Sequence, residues 1–177
     1  MSSEIILGGG CFWCTEAIFR MVKGVDEVIP GYSGGDFPNP SYEDVCTDKT
    51  GHAEVVKLKF NENAISLDQI LDIFFEIHDP TTLNRQGADV GTQYRSIIIA
   101  MSPAQRESVE NYMKELRESG RFRQPVVTQV EMFKNFYPAE SYHMKYFERN
   151  QNNPYCRIVI SPKVKKFLKH NMALVKG

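Results

Sequence analysis

The strongest constraint on this chain is the order in which its apolar periodicity changes along the sequence. Residues 4–9 (EIILGG) read as a strand that runs into Gly8, Gly9 and Gly10. Residues 12–22 read as a helix, with Cys14, Ile18, Met21 and Val22 at helical spacing and Gly24 closing it. Strands follow at 25–31 and 53–60, separated by a tight GYSGG turn at 31–35 and a turn-rich loop at 36–52. A helix at 66–78 opens on a Ser66–Gln69 capping box and carries Leu67, Ile70, Leu71, Phe74 and Phe75 on one face. A strand at 95–101 completes a βαββαβ unit, the ferredoxin-like order. The expected fold is α+β: a mixed sheet with helices packed on it, plus a C-terminal extension. In the remainder, a helix from Ser102 and Pro103 to near Gly120, a strand at 126–132 and a helix at 139–149 are expected. Residues 150–162 read as a loop before a basic end.

With 177 residues, the chain is expected to form a single domain. Its 21 Lys and Arg nearly balance 22 Asp and Glu, which argues against nucleic acid or an anionic membrane as partner. No apolar run approaches the ~18 residues of a membrane span. The start, MSSEIILGGG, lacks the basic residues and long apolar stretch of a secretory signal. A cytoplasmic monomer with reduced thiols is expected, so the four cysteines are not read as a disulfide scaffold.

Cys11 and Cys14 form C-F-W-C, while Cys46 and Cys156 stand alone. The histidines are scattered, and the spacing of a zinc site is missing. Redox chemistry, nucleophilic catalysis or inert packing remain. Cys11 follows three glycines and opens a helix. Unpaired amides and the positive end of the helix dipole favour a thiolate there, so a depressed pKa is expected. Cys14 shares its face with Ile18, Met21 and Val22, which puts packing ahead of redox pairing. Phe12 and Trp13 are either core residues or the apolar wall of a pocket.

Glu54 alternates with Val56, Leu58 and Phe60 along one face of its strand. It is either a desolvated proton donor or a solvated carboxylate at a frayed strand end. Glu16 reads as a complement to the helix dipole. Asp89 and Tyr94 lie in the turn GADVGTQYR, and Tyr42 in the long loop, where such residues are most often turn formers.

The segments GCFWCTE, GYSGG, NPSYEDVC, TGHAE, HDPTT and GTQYRS, in this order, resemble methionine sulfoxide reductase A from about Leu7 to Pro162. The resemblance implies reduction of methionine (S)-sulfoxide, free or in proteins, and hence repair of oxidised proteins. It implies that Cys11 is the nucleophile and Glu54 the proton donor. Tyr42 and Tyr94 would bond near the sulfoxide oxygen, and Phe12 and Trp13 would hold the S-methyl group. Asp89 would contact the substrate backbone, His143 in ESYH would support the site, and Cys156 in NPYC would recycle it. Thioredoxin or another dithiol is the implied reductant, and no metal or organic cofactor is implied. Many members carry glycine in place of Cys14, and many end in a glycine-rich loop with a further cysteine. Here the tail runs CRIVISPKVKKFLKHN, a stretch able to close with a helix. Cys156 is the preferred recycling thiol because a loop-borne cysteine moves easily; Cys14 ranks second and Cys46 third. The competing readings are a general CxxC thiol–disulfide oxidoreductase and a module that binds oxidised methionine without reducing it.

Overall fold

The computed structural model describes residues 2–176. The core begins with β1 (Ser2–Gly8), α1 (Phe12–Phe19) and β2 (Val25–Ser33). A short α2 (Tyr42–Cys46) then precedes β3 (Ala53–Asn61), α3 (Leu67–Ile77) and a small β4 (Arg85–Gln86) and β5 (Asp89–Val90) hairpin. Next come β6 (Ile97–Ala100), α4 (Pro103–Glu118), β7 (Gln129–Met132), β8 (Tyr137–Pro138), α5 (Tyr146–Arg149) and α6 (Ser161–His170). The main sheet has the order β7-β6-β1-β3-β2-β8. Its inner four strands, β6-β1-β3-β2, are antiparallel, as a βαββαβ unit requires. α4 returns the chain so that β7 runs parallel to β6, which makes the sheet mixed.

The strands are apolar on alternating faces, and this divides the core. Ile5, Leu7, Val56, Leu58 and Phe60 face α1, α3, α4 and α6 in the large core. Ile6, Ala53, Val55, Ile97 and Ile99 form a smaller cluster on the reverse face, covered by Phe136. The two faces read from residues 53–60 are therefore the observed ones, and Glu54 lies on the helix side. α1 is buried almost all round, because α5 and α6 cover the flank that the sheet leaves open.

Four local expectations are corrected. Residues 36–52 are not all loop, because Ser41 caps α2 and forms a reciprocal capping box with Asp44. The helix expected at 139–149 is broken into β8, a 3-10 turn at Ser141–His143 and the four-residue α5. Lys145 is left-handed at φ 54°, and its N–H donates to the Glu16 carboxylate (3.0 Å), so the tertiary bond overrides the helical pattern. Glu16 is thus a buried anchor rather than a dipole complement. The expected loop at 150–162 is helical from residue 154, with a π-helical turn over Cys156–Ile160 leading into α6. Ile160, Val164 and Phe167 form one apolar stripe against the core and hold this segment helical.

Leu58 is fully buried at the centre of β3. Leu58→Ala is expected to lower stability by about 2–5 kcal/mol. Urea unfolding should show a lower midpoint with an unchanged slope.

Candidate active site

β1 delivers the chain to the site through Gly9 and Gly10. A Cβ on Gly9 would lie 2.8 Å from the His78 ring, and one on Gly10, at φ 93°, would lie 2.7 Å from Gln86. The space left by these glycines is therefore filled by the protein's own side chains. His78 is held by Ser96 (2.8 Å), and its burial lowers its pKa to about 4, so it is a neutral, fixed buttress.

Cys11 is the N-cap of α1 and is half-buried. The expectation of a depressed thiol pKa is not met. Burial pushes the Cys11 thiol well above its ordinary value, the negative charge of an ionised Glu54 adds to this, and a bond from the Trp13 amide opposes it without prevailing. One helix end is outweighed by desolvation beside a carboxyl group.

Glu54 is 1% exposed, which resolves its two readings in favour of a desolvated group. Oε1 accepts from the Phe12 amide in the first turn of α1 (3.2 Å), while Oε2 is buried without a partner. Burial raises the carboxyl pKa to about 8, against the opposing Phe12 bond, so the group is protonated at neutral pH. The strand register explains its position: Glu54 lies opposite Tyr32 of β2, and its neighbour Val56 lies opposite Leu7, two residues before Gly9.

Tyr42 opens α2, and Tyr94 ends a 3-10 turn at Thr92–Tyr94. Burial raises both phenols, and both feel the charge of Glu54; Tyr94 also feels Cys11 and Asp89. The structure therefore gathers Cys11, Glu54, Tyr42 and Tyr94 in one place. Asp89 sits in β5 with Oδ2 accepting from the Tyr155 hydroxyl (2.6 Å), and that hydroxyl also lies against the Cys11 thiol.

Phe12 is 1% exposed and belongs to the core as well as to the site, while Trp13 is partly buried at its edge. His143 is fully buried and organises the aromatic groups. Its Nδ1 accepts from the Trp13 indole N–H (2.9 Å), which places the imidazole proton on Nε2. Its ring lies 5.1 Å from Phe12 and 4.6 Å from Tyr42. Burial lowers the His143 pKa, consistent with a neutral ring.

Four site residues are not singled out by the sequence. Tyr146 stacks on Trp13 with ring centres 3.7 Å apart, and Tyr155 meets Trp13 edge-on. Glu140 accepts from the Tyr32 hydroxyl and from the Tyr42 amide, each at 2.8 Å, and so joins β2 to α2. No sequence periodicity marks these groups, because each contact spans about a hundred residues or more or depends on the broken 139–149 segment. Cys14 is buried in the large core, as its helical stripe predicts. Cys46 is exposed beside Tyr42. Cys156 is fully buried within the π-helical turn, so it is not loop-borne.

A free thiol at a helix start, a buried carboxyl group that keeps its proton and phenols beside an aromatic wall fit the equipment of a thiol-dependent oxidoreductase. A family model described as peptide methionine sulfoxide reductase matches residues 3–175. The chain is 61% identical over 163 residues to the peptide methionine sulfoxide reductase MsrA of Saccharolobus solfataricus, covering 92% of this chain and 91% of that protein. It is 56% identical over 166 residues to the MsrA of Nautilia profundicola, covering 94% of each. Among solved structures, reduced Mxr1 from Saccharomyces cerevisiae matches with a TM-score of 0.81 at 37% identity, covering 88% of this chain and 89% of that one. Mxr1 in complex with Trx2 matches with a TM-score of 0.58 at 28% identity, covering 82% and 84%. The chain belongs to the peptide methionine sulfoxide reductase family.

The raised Glu54 pKa makes a stability prediction. The native carboxyl group binds its proton more tightly than an unfolded glutamate, so the wild type loses stability as pH rises from about 4.3 towards 8. Glu54→Gln removes this loss. Between pH 5 and pH 9, urea titrations should show the variant gaining on the wild type by about 4 kcal/mol.

Proposed function

We propose that this chain reduces methionine sulfoxide, free or in proteins, to methionine, with Cys11 as nucleophile and Glu54 as proton donor. The observation that carries the reading is the protonated Glu54 with an unpartnered Oε2 beside the Cys11 thiol. A sulfoxide sulfur becomes electrophilic when its oxygen is hydrogen-bonded or protonated. Glu54 donates to that oxygen, and the hydroxyls of Tyr42 and Tyr94 assist. The Cys11 sulfur forms a bond to the substrate sulfur and the thiol proton replaces the one Glu54 gives up; the substrate S–O bond and this transient S–S bond then break as oxygen passes to Cys11. Oxygen ends on Cys11 as a sulfenic acid, and methionine leaves, so the atoms balance without any other reactant. Phe12 and Trp13 receive the S-methyl group, Asp89 binds the substrate backbone, and His143 fixes the Trp13 ring. Preference for the (S)-sulfoxide follows from family membership.

Recycling is assigned to Cys156. Its thiol attacks the sulfenic acid, a disulfide forms and water leaves; a dithiol such as thioredoxin then reduces the disulfide. Cys156 begins buried in a helix, so the π-helical turn must unwind to deliver it. A π-turn interrupts the regular helical hydrogen-bond pattern and offers a place for release. Solved structures of the related Mxr1 in reduced form, in an unusual oxidised form and in complex with Trx2 fit a cycle of this kind. Cys14, held in the core, is disfavoured for this role. A chemistry that needs reduced thiols fits the cytoplasm. No helix among the described residues is long and apolar enough to cross a membrane.

The test is a single turnover. Reduced protein mixed with a methionine sulfoxide peptide, without external reductant, should yield about one methionine per chain and a Cys11–Cys156 disulfide by mass spectrometry. Absence of methionine overturns the reading. Glu54→Gln should slow this step by roughly 10²–10⁴-fold. In the wild type the rate should fall as pH rises through about 8, where Glu54 loses its proton. Cys156→Ser should keep the first methionine and lose thioredoxin-driven turnover; retained turnover would move recycling to Cys14 or Cys46.

A further inference from the structure

Behind the glycine loop lies a cavity of about 660 Å³ that the reaction above does not use. It is an open cavity lined by the C-terminal end of α3, residues 121–124 after α4, and α6. Phe75 and Phe167, each 1% exposed, form its apolar floor. Phe122 lines one side, with the Arg121 guanidinium 5.3 Å above its ring centre.

The charged lining carries an excess of cations. Arg121, Arg123, Lys163 and Lys166 all border the cavity, and among the described residues none of them makes an ion pair. Two carboxylates also border it, and each is already engaged by uncharged donors: Glu76 by the Asn171 amide (2.6 Å) and Asp79 by the Thr81 amide (2.9 Å). The inner wall is saturated. His78 is bonded through both ring nitrogens, and the Gln86 amide bonds the Asp79 backbone through both of its ends. A guest therefore meets aromatic carbon at the floor and, at the rim, four cationic side chains against two carboxylates, an excess of positive charge.

We propose that this cavity is a second binding site for a small organic anion, with a carboxylate or phosphate head and an aromatic or aliphatic body. The volume suits a ligand of that size. The guanidinium groups of Arg121 and Arg123 offer forked donors for a carboxylate or phosphate, and the lysines add charge. The site is back-to-back with the catalytic loop, because His78 and Gln86 separate it from Gly9 and Gly10. Its third wall, α6, continues from the π-helical turn that holds Cys156. A bound anion ties α6 to α3 and to the 121–124 segment, and so opposes unwinding of that turn. This last consequence rests on the recycling role given to Cys156 above; the binding itself does not.

Calorimetry with 2-naphthoate and its uncharged counterpart, 2-naphthamide, tests the proposal on the full chain. Saturable one-to-one binding of naphthoate is expected, at least about ten-fold tighter than naphthamide. The double variant Arg123→Gln with Lys166→Gln should weaken naphthoate at least about ten-fold, while Lys166→Arg should keep it. Both positions are exposed and outside the catalytic groups, so single-turnover methionine release should be unchanged. Equal binding of the two probes, or unchanged binding by the double variant, overturns the proposal. So does the absence of saturable naphthoate binding, including the case where reduced thioredoxin instead perturbs the amide resonances of this wall, which would mark a protein contact. If naphthoate binds as expected, disulfide formation after a single turnover should slow in its presence. Binding without slowing would leave the anion site standing and count against Cys156 as the thiol that must be released.

Discussion

Glu54 occupies a strand position that alternates with Val56, Leu58 and Phe60, where its carboxyl group is removed from water and given one hydrogen bond instead of several. The cost of burying a charge there is avoided by keeping the proton. Much of the site follows from that choice. The Phe12 amide that holds Oε1 belongs to the first turn of α1, so the same contact sets the entry of the helix and the position of Cys11 at its N-cap. β3 is central in the sheet, flanked by β1, which leads to Cys11, and by β2, which supplies Tyr32. A slip of one residue in either pairing would turn Glu54 to the reverse face of the sheet.

The groups proposed to react rest uncharged, beside the ionised Glu140 that holds Tyr32 and Tyr42. The Cys11 thiol, the Glu54 carboxyl group, the Tyr42 and Tyr94 phenols and the His143 ring are each pushed by burial towards their uncharged forms. An environment of this kind suits a dipolar, uncharged substrate group such as a sulfoxide. In the proposed reaction, charge develops only as oxygen is transferred, where the hydroxyl and carboxyl protons are already in place. A strongly depressed thiol pKa would instead put a standing charge beside Glu54 and favour its own discharge by any disulfide. The uncharged resting groups and the proposed proton relay are thus two aspects of one dry pocket.

The βαββαβ order was legible because each element carries its own periodicity, and α3 and α4 also carry their N-caps. Cys11 was legible from the glycines and the helix start; the alternation placed Glu54 on the apolar face but left open whether it is desolvated, a choice that only the family resemblance favoured. The α2 helix had a local signal, the Ser41–Asp44 capping box, inside a stretch whose Pro, Asn and Gly content read as loop. The thiol pKa was misread because helix-end electrostatics are visible in sequence whereas desolvation is not. The aromatic cluster was not legible: Trp13 and His143 are 130 residues apart, and only the tertiary fold brings the indole N–H to the imidazole. The break at Lys145 has the same origin, since the buried Glu16 carboxylate claims its amide from across the fold.

The stacking of Trp13 on Tyr146 has an optical consequence. The chain contains one tryptophan, so all of its indole emission originates at the edge of the active site. That indole lies face to face with a phenol and donates its N–H to an imidazole, both groups that influence an excited indole. The protein therefore carries a built-in fluorophore whose colour and lifetime report the polarity and mobility of the aromatic wall alone. Unfolding of distant helices would pass unseen by it until the wall itself comes apart.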